Sequence, residues 1–491
     1  MASNTDDTGD MTETPGHGVV VRARNGDVIR YDPSGLVMRL SDKVIADIAL
    51  RMGAQVTTAN SATATAAPTA RHDPHDALEG IDAWDLRAEG DWLHFTARLQ
   101  GKQGIRAFRR HVEGGAIIAD APGPLMGILG IGGPRAALAS PGVTGFPQHI
   151  VAPADDIGAV GHAGVERGIE TDRLEHLRER THEALVAEVL LDWQVAKYAA
   201  LPLFMTRVET DSAADARALA NGLAFDNLIL AGRNLKSAAE AMGKRAKLVA
   251  ICLDFALEDQ GGDALAYRDG ILALMAKAER ELWQLGMDKP VFVARFESGT
   301  ADAAANAALE GQWELAWNHG DHDLRYSAPG YMFALDDHDR PTEDARTQMA
   351  EMTAAAISDD AWQCPMLMLA EYDPANPKII RVTARGIGEM ILDAADPFGA
   401  GKTAGFALVG SDAKITAVKI APDDPQAVLI TCSKPPGGAV KLAYAYGAGA
   451  GQDPIRGNRG ALRDGWTMDS TTGATLHRWA LPALLPVTGH A

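Results

Sequence analysis

The sequence predicts an α/β protein in which a doubly wound, flavodoxin-like parallel-sheet domain stands between an N-terminal β-rich region and a C-terminal all-β domain. Three observations predict it. From Glu170 to Ile357, apolar strand-like runs alternate with amphipathic helical stripes, the pattern of a parallel sheet covered by helices. Ahead of that stretch, Trp84 to Ile118 alternates with period two. Behind it, Lys378 to Val487 reads as a series of short alternating strands. The 491 residues suit about two to four domains. The divisions expected are an acidic tail, hairpin and short helix (1–54), an Ala/Thr-rich linker (55–75), a β-rich region (76–114), the α/β domain (115–362) and the C-terminal β-domain (366–491).

Each element has a local reason. Val19 to Tyr31 alternates around Asn25-Gly26, a favoured two-residue hairpin turn. Ser41 to Met52 reads as a short amphipathic helix with Ser41 as N-cap, and Gln55 to Arg71 as a polar linker or exposed arm. Leu93, Phe95, Ala97 and Leu99 share one strand face, and Gln100-Gly101-Lys102 turns into a second strand at Ile105 to Phe108. Gly115 to Gly133 is rich in Gly and Pro and reads as a loop feeding a sheet. Leu185, Val189 and Trp193 mark a helix, followed by a strand at Leu201 to Val208. A helix from Phe225 to Met242 stops at Gly243, and a buried strand follows at Lys247 to Asp254. The helix from Ala264 to Leu285 stops at Gly286 and leads to a strand at Pro290 to Phe296. Thr342 caps a last helix to Ile357, with Met349, Met352 and Ala356 facing inward.

Net charge is −19, so the surface repels nucleic acid and anionic membranes unless a local basic patch exists. The best such cluster, Arg106, Arg109, Arg110 and His111, lies in a strand-like region and reads as an ordinary solvated face. Cys252, Cys364 and Cys432 are far apart and odd in number, which shows neither a disulfide framework nor a zinc motif. Met1 to Gly18 is polar and acidic without the apolar core of a signal peptide, and no run reaches the roughly 18 apolar residues of a membrane span. The chain is therefore expected in the cytosol, or in a particle released by lysis. No cofactor is expected.

The C-terminal third carries an ordered set of motifs: K-I-I-R-V-T from Lys378, M-I-L-D (Met390 to Asp393), Gly405-Phe406, I-T-A-V-K-I (Ile415 to Ile420), V-L-I-T (Val428 to Thr431) and L-A-Y-A-Y-G (Leu442 to Gly447). It closes on G-A-L-R-D-G-W (Gly460 to Trp466) and T-L-H-R-W (Thr475 to Trp479). This series resembles the accessory β-domain of the sialate O-acetylesterase-like branch of the SGNH hydrolases, a branch common in phages and prophages. The resemblance covers roughly Gly115 to Val487. It implies a three-layer SGNH-like domain with a β-sandwich beside it, and a serine esterase whose chemistry lies in four short blocks.

Those blocks are degenerate here. The family's Gly-Gln-Ser turn follows the first strand; no G-Q-S or G-D-S string occurs, and the best equivalent by position, A-P-G-P-L-M-G after Ala116 to Ala119, puts Pro124 and Leu125 there. The Gly-rich second block reads T-R-V-E-T-D-S-A-A-D, where Ser212 looks like a helix N-cap with Asp215 three residues on. In the third, L-D-F-A-L-E-D-Q keeps Glu258 but has Ala256 and Leu257 where the oxyanion donor belongs. The last block, Y-M-F-A-L-D-D-H-D-R-P-T, fits: the resemblance makes His338 the base, oriented by Asp336 or Asp337. Without a serine to deprotonate, His338 also fits a solvent-facing residue of an acidic loop. Another group, His319, Asp321, His322 and Asp323, could hold a metal with His338, but no third ligand is fixed by spacing, so it also reads as a polar loop.

Three functions follow. The first is a non-catalytic SGNH-like protein that binds a cell-surface or capsular polysaccharide, as a spike, fibre or receptor-binding part of a phage-like particle. Trp313, Trp317 and Tyr331 are then the sugar-stacking candidates, against the alternative that they are core residues. Its partners would be the glycan, other particle proteins and further copies of itself, with no nucleic acid. The second is a carbohydrate O-acetylesterase with a displaced nucleophile, Ser140 or Ser212, served by His338, Asp336 and Glu258. The third is a purely structural particle protein.

Overall fold

The computed structural model describes residues 18–23, 26–32, 35–38, 78, 80–300, 302–303, 306–446 and 459–489. The helix expected at Ser41 to Met52 and the linker at Gln55 to Arg71 lie outside them. The chain falls into two compact units, Met1–Arg71 and His72–Ala491. In the first, β1 (Gly18–Ala23), β2 (Gly26–Asp32) and β3 (Gly35–Met38) form an antiparallel meander. Ala23 stands opposite Gly26 and Arg22 opposite Asp27, so Gly26 lies in β2 and the register is shifted by one from that of an Asn25-Gly26 turn.

The second unit opens with a four-stranded antiparallel sheet: β4 (Ala83–Glu89), β5 (Trp92–Arg98), β6 (Ile105–His111) and β7 (Ile118–Ala119). Leu93, Phe95 and Ala97 are buried, as their period-two spacing requires. The basic cluster on this sheet is not a patch. Arg109 is buried and ion-paired to Asp120, whose other oxygen bonds His94 Nδ1 at 2.7 Å.

The α/β core follows. Its strands are β8 (Leu125–Gly132), β10 (Ile150–Pro153), β11 (Leu174–His176), β13 (Leu203–Thr210), β14 (Ala246–Asp254), β15 (Val291–Phe296) and β16 (Leu324–Pro329), with β9 (Ser140–Pro141) and β12 (Glu179–Arg180) pairing apart. The sheet order is β11-β10-β13-β8-β14-β15-β16, parallel throughout except for edge strand β11. Without the β10–β11 edge, the five remaining strands run 2-1-3-4-5 in chain order, the flavodoxin-like arrangement. The helices are α1 (His182–Ala196), α2 (Ala216–Asn221), α3 (Leu223–Ala241), α4 (Ala264–Gln284), α5 (Ala307–Trp317) and α6 (Glu343–Ser358). One face of the sheet packs on α1 and α6, through Ile128, Phe204, Ala184, Ala187, Ala350 and Ala354. The other packs on α2 to α5, through Leu129, Met205, Phe225, Leu235, Ile271 and Leu309.

The sequence misleads at the centre of this sheet. Gly115 to Gly133 reads as a loop, yet Leu125–Gly132 is the central strand, so Pro124 and Leu125 precede its body rather than follow the first parallel strand. Its glycines are there for close approach. A Cβ at Gly127 would collide with Leu235, one at Gly130 with Glu183 and Val208, and one at Gly132 with the Asp254 carbonyl. A strand pinned between helices on both faces needs such positions, and they erase its β signature. Helix α5 was also not legible, and α2 is capped by Asp215, which accepts from Ala218 N at 2.7 Å, while Ser212 is exposed.

The remaining residues form two sheets. The larger has the order β20-β23-β26-β17-β18-β22-β21, built from β17 (Met366–Asp373), β18 (Asn376–Arg385), β20 (Phe406–Val409), β21 (Ile415–Ala421), β22 (Asp424–Cys432), β23 (Lys441–Tyr444) and β26 (Ala483–Thr488). The smaller joins β19 (Ile391–Leu392), β24 (Leu462–Asp469) and β25 (Thr475–Trp479). The α/β core meets these sheets through a buried aromatic seam: Tyr331 donates to Ala480 O at 2.7 Å and lies 3.3 Å from Tyr444 Oη. Beside it, Asp464, fully buried, accepts from Arg478 Nε at 2.8 Å.

Candidate functional site

A pocket of about 470 Å³ opens at the carboxyl ends of β8, β14, β15 and β16, where α/β sheets of this order place their ligands. Each strand delivers polar residues as it ends. β8 runs through Gly132-Gly133 into a tight 3-10 turn, Pro134–Ala137, which carries Arg135. β14 ends on Asp254, β15 delivers Arg295 and then Glu297 and Ser298, and β16 contributes Ser327. Helix α1 adds His182 and Glu183 from its first turn, and α6 adds Arg346, Met349 and Thr353. Leu138, Leu185, Phe333 and Leu335 make the walls apolar.

Arg135 stands at the turn after the first parallel strand. It is held from three directions: Nε donates to Glu258 Oε1 at 2.6 Å, Nη2 to Glu258 Oε2 at 3.0 Å and Nη1 to Glu297 Oε2 at 2.9 Å. Gly133 permits this, because a Cβ there would run into the Glu258 side chain. Arg295 Nη2 lies 3.5 Å from Glu297 and 3.7 Å from Asp254. Burial pushes the Asp254 carboxyl up, but Arg295 and Arg135 outweigh it and hold the group below its ordinary range.

His182, Glu183 and Cys252 are shifted toward neutrality. Burial depresses His182 to about 4, so its imidazole is uncharged near neutral pH. Its Nε2 lies 3.1 Å from Thr353 Oγ1. A histidine with so low a pKa is a weak base for activating a hydroxyl. Burial also raises Glu183 to about 7, with Asp254 adding repulsion. Cys252 is buried beside both carboxyls, and desolvation keeps its thiol protonated. The pocket serines are engaged with backbone: Ser298 Oγ accepts from Tyr331 N at 3.0 Å, and Ser327 Oγ donates to Ala294 O at 3.3 Å.

The residues singled out in the sequence are dispersed. Glu258 belongs to the Arg135 network. His338 is exposed on the loop that rims the pocket. Asp336 accepts from the backbone N–H of His338 at 2.8 Å and of Arg340 at 3.0 Å, so its carboxylate shapes that loop rather than orienting the imidazole. Those same two bonds hold its pKa below the usual range. Asp337 is exposed as well. Ser140 lies on β9, where its hydroxyl accepts from Arg346 Nη1. Neither Ser140 nor Ser212 lines the pocket.

The three aromatic candidates also stand outside the lining, which corrects their expected place. Trp313 packs on the β17 side and donates to Leu367 O at 3.0 Å. Trp317 is half exposed with the Arg385 guanidinium 5.5 Å from its ring. Tyr331 is buried in the aromatic seam. The second His cluster is tied up internally: His319 Nδ1 bonds His322 O, and His322 Nδ1 lies 2.9 Å from Glu279. Among the described residues no group of three His, Cys, Asp or Glu is arranged to hold a metal ion, and no helix is long and apolar enough to cross a membrane.

Sequence reasoning missed Arg135, His182, Glu183, Asp254, Arg295 and Glu297. The available signal was charge at the ends of buried strands, in A-I-C-L-D and V-A-R-F-E.

No protein-family model matches this chain, and no curated protein matches it. Among solved structures it is similar to a carbohydrate acetylesterase from Xanthomonas citri, with a TM-score of 0.48, 11% identity, and coverage of 81% of this chain and 96% of that one. It also matches part of an S-layer protein, with a TM-score of 0.15, 11% identity, and coverage of 45% of this chain and 22% of the other.

Proposed function

We propose that this chain is a non-catalytic protein of SGNH-like architecture whose α/β pocket binds a polysaccharide. One observation carries the reading: the turn after the first parallel strand, where a serine esterase of this architecture presents its nucleophile, presents Arg135 bound to Glu258 and Glu297. The pocket hydroxyls support it, since Ser298, Thr300 and Ser327 are bonded to backbone and Thr353 faces a weakly basic imidazole. The pocket is still open, at about 470 Å³, within the range of small-ligand sites. Its mixed floor of carboxylates and guanidiniums offers acceptors and donors suited to hydroxyl groups. The resemblance of the C-terminal motifs to a branch common in phages makes the ligand a cell-surface glycan and the setting a phage-like particle, with the two C-terminal sheets as the accessory sandwich.

The test is hydrolysis of p-nitrophenyl acetate and of acetylated sialic acid, beside a glycan array, on the wild type and His338→Ala. The expected result is no hydrolysis above buffer and retention of a glycan. Hydrolysis that disappears in His338→Ala would make the chain an O-acetylesterase. A silent array and a silent assay together would leave a structural particle protein.

A further inference from the structure

The arginines that line the pocket are not alike. Arg135 and Arg295 are matched on the floor by Asp254 and Glu297, and Arg135 also by Glu258 from outside the lining. Arg346, contributed by α6, is held by neutral groups instead. Its Nη1 donates to Ser140 Oγ, and its Nη2 to Leu138 O at 3.2 Å and Arg180 O at 3.0 Å. Among the described residues it has no carboxylate partner. A guanidinium withdrawn from water is normally paired. Burial depresses the pKa of this one, and the Arg180 charge depresses it further. Glu343, itself 80% exposed and paired to Arg180, opposes them least.

The surroundings of Arg346 add to the positive potential. It lies in the first turn of α6, a 16-residue helix, and the Arg180 carbonyl that it bonds adjoins Thr181, the N-cap of the 15-residue α1. The positive ends of two helix dipoles therefore meet at a guanidinium. The nearby acids do not cancel this. Glu343 and Asp344 are exposed at the start of α6, and Glu183 is raised to about 7. Asp336 and Asp339 share the exposed rim loop with Arg340. Three of the five N–H groups of Arg346 are taken up, which leaves two for a molecule in the cavity that it lines. A carboxylate or phosphate accepts from such a pair and supplies the missing charge. The chain as a whole carries −19, so a polyanion gains nothing from the surface at large, and its recognition has to come from a local site of this kind.

We infer that Arg346 makes the α6 side of the pocket a subsite for an oxyanion, a carboxylate or phosphate carried by the sugar chain, so that the protein prefers an acidic polysaccharide to its neutral counterpart. This rests on the glycan-binding reading above.

The experiment is calorimetric titration of the full chain with two matched pairs of oligosaccharides: oligogalacturonate beside galactan fragments, and phosphomannan beside mannan fragments. Ala137→Trp, which fills the pocket from the 3-10 turn, reports whether binding is at this site. At least one acidic probe should bind at least about tenfold more tightly than its neutral match, with binding lost in Ala137→Trp. Arg346→Gln should weaken that probe by about ten- to a hundredfold, the loss of a charged hydrogen bond, and leave its neutral match unchanged. Which pair shows the preference tells carboxylate from phosphate. Neutral probes that bind as tightly as acidic ones, or a preference that survives Arg346→Gln, with binding still lost in Ala137→Trp, would overturn the oxyanion subsite and leave the glycan reading standing. No binding by any probe, or binding untouched by Ala137→Trp, would overturn both. If Arg346→Gln does not fold, as judged by circular dichroism, the wild-type preference decides alone.

Discussion

Replacing Glu183 by Gln should stabilise the protein in a pH-dependent way. Glu183 sits in the first turn of α1, is 3% exposed, and faces Asp254 and Cys252 across the floor of the pocket. Burial raises its pKa from 4.5 to about 7, against the smaller opposing effects of its own backbone N–H and of Thr181. The sign follows from linkage. Between those two values the folded state holds a proton that the unfolded state has released, so stability falls as pH rises through this window. The full effect above pH 7 is about 3 kcal/mol. His182 and His149 act in the opposite direction: both are depressed to about 4 by burial, so they lose stability as pH falls from 6.5. Those residues are unchanged in Glu183→Gln, so their contribution cancels in the difference. Urea unfolding of wild type and Glu183→Gln, followed by tryptophan fluorescence from about pH 4.5 to pH 8, should show the variant gaining about 3 kcal/mol across the range. The amide's own packing cost shifts the whole curve and leaves its slope alone. A difference that stays flat within about 1 kcal/mol would refute the claim that a buried, neutralised carboxyl lies at this point.

Three further substitutions test the surrounding framework. Arg135→Ala strips Glu258 of its counter-ion and leaves Glu297 with Arg295 alone, and should cost about 1–3 kcal/mol by urea unfolding; this is below the value for a fully buried pair because the guanidinium is 37% exposed. Arg478→Ala leaves Asp464 charged at zero exposure and should cost about 3–5 kcal/mol by the same measurement. Tyr331→Phe removes the bonds to Ala480 O and Tyr444 from the seam, and should cost about 1 kcal/mol by the same measurement.

The architecture was legible wherever burial dictated a period. Leu93, Phe95 and Ala97 announce a half-buried strand, and Gly243 and Gly286 end their helices with φ of +67° and +76°. It was illegible where packing demanded glycine. The central strand at Leu125–Gly132 accommodates Leu235, Glu183 and the Asp254 backbone by giving up side chains, and so resembles a loop. That shift moved the expected nucleophile turn from Gly133-Pro134-Arg135 back to Pro124-Leu125 and hid Arg135. The aromatic candidates stand outside the pocket for another reason. Tyr331 and Trp313 do pair a polar tip with an apolar body, as sugar-binding aromatics must, but that same property serves a seam where Ala480 and Leu367 carbonyls need donors. Residue type alone does not separate the two uses.

The energetics of the pocket bear on why it exists. A scaffold kept only for its shape gains nothing from an open cavity of about 470 Å³ with a charged floor. Leucine or methionine at position 183 would remove the roughly 3 kcal/mol that the buried carboxyl costs above pH 7. A larger residue at Ala136 or Ala137 would close part of the space. Local rules broken without a structural gain occur where function holds them in place. The turn after β8 gives the same indication from the opposite side: Arg135 is fixed there by three hydrogen bonds, in a spot that chemistry on an acyl group would need free. An occupied reactive position above an open floor is what supports the proposed binding role.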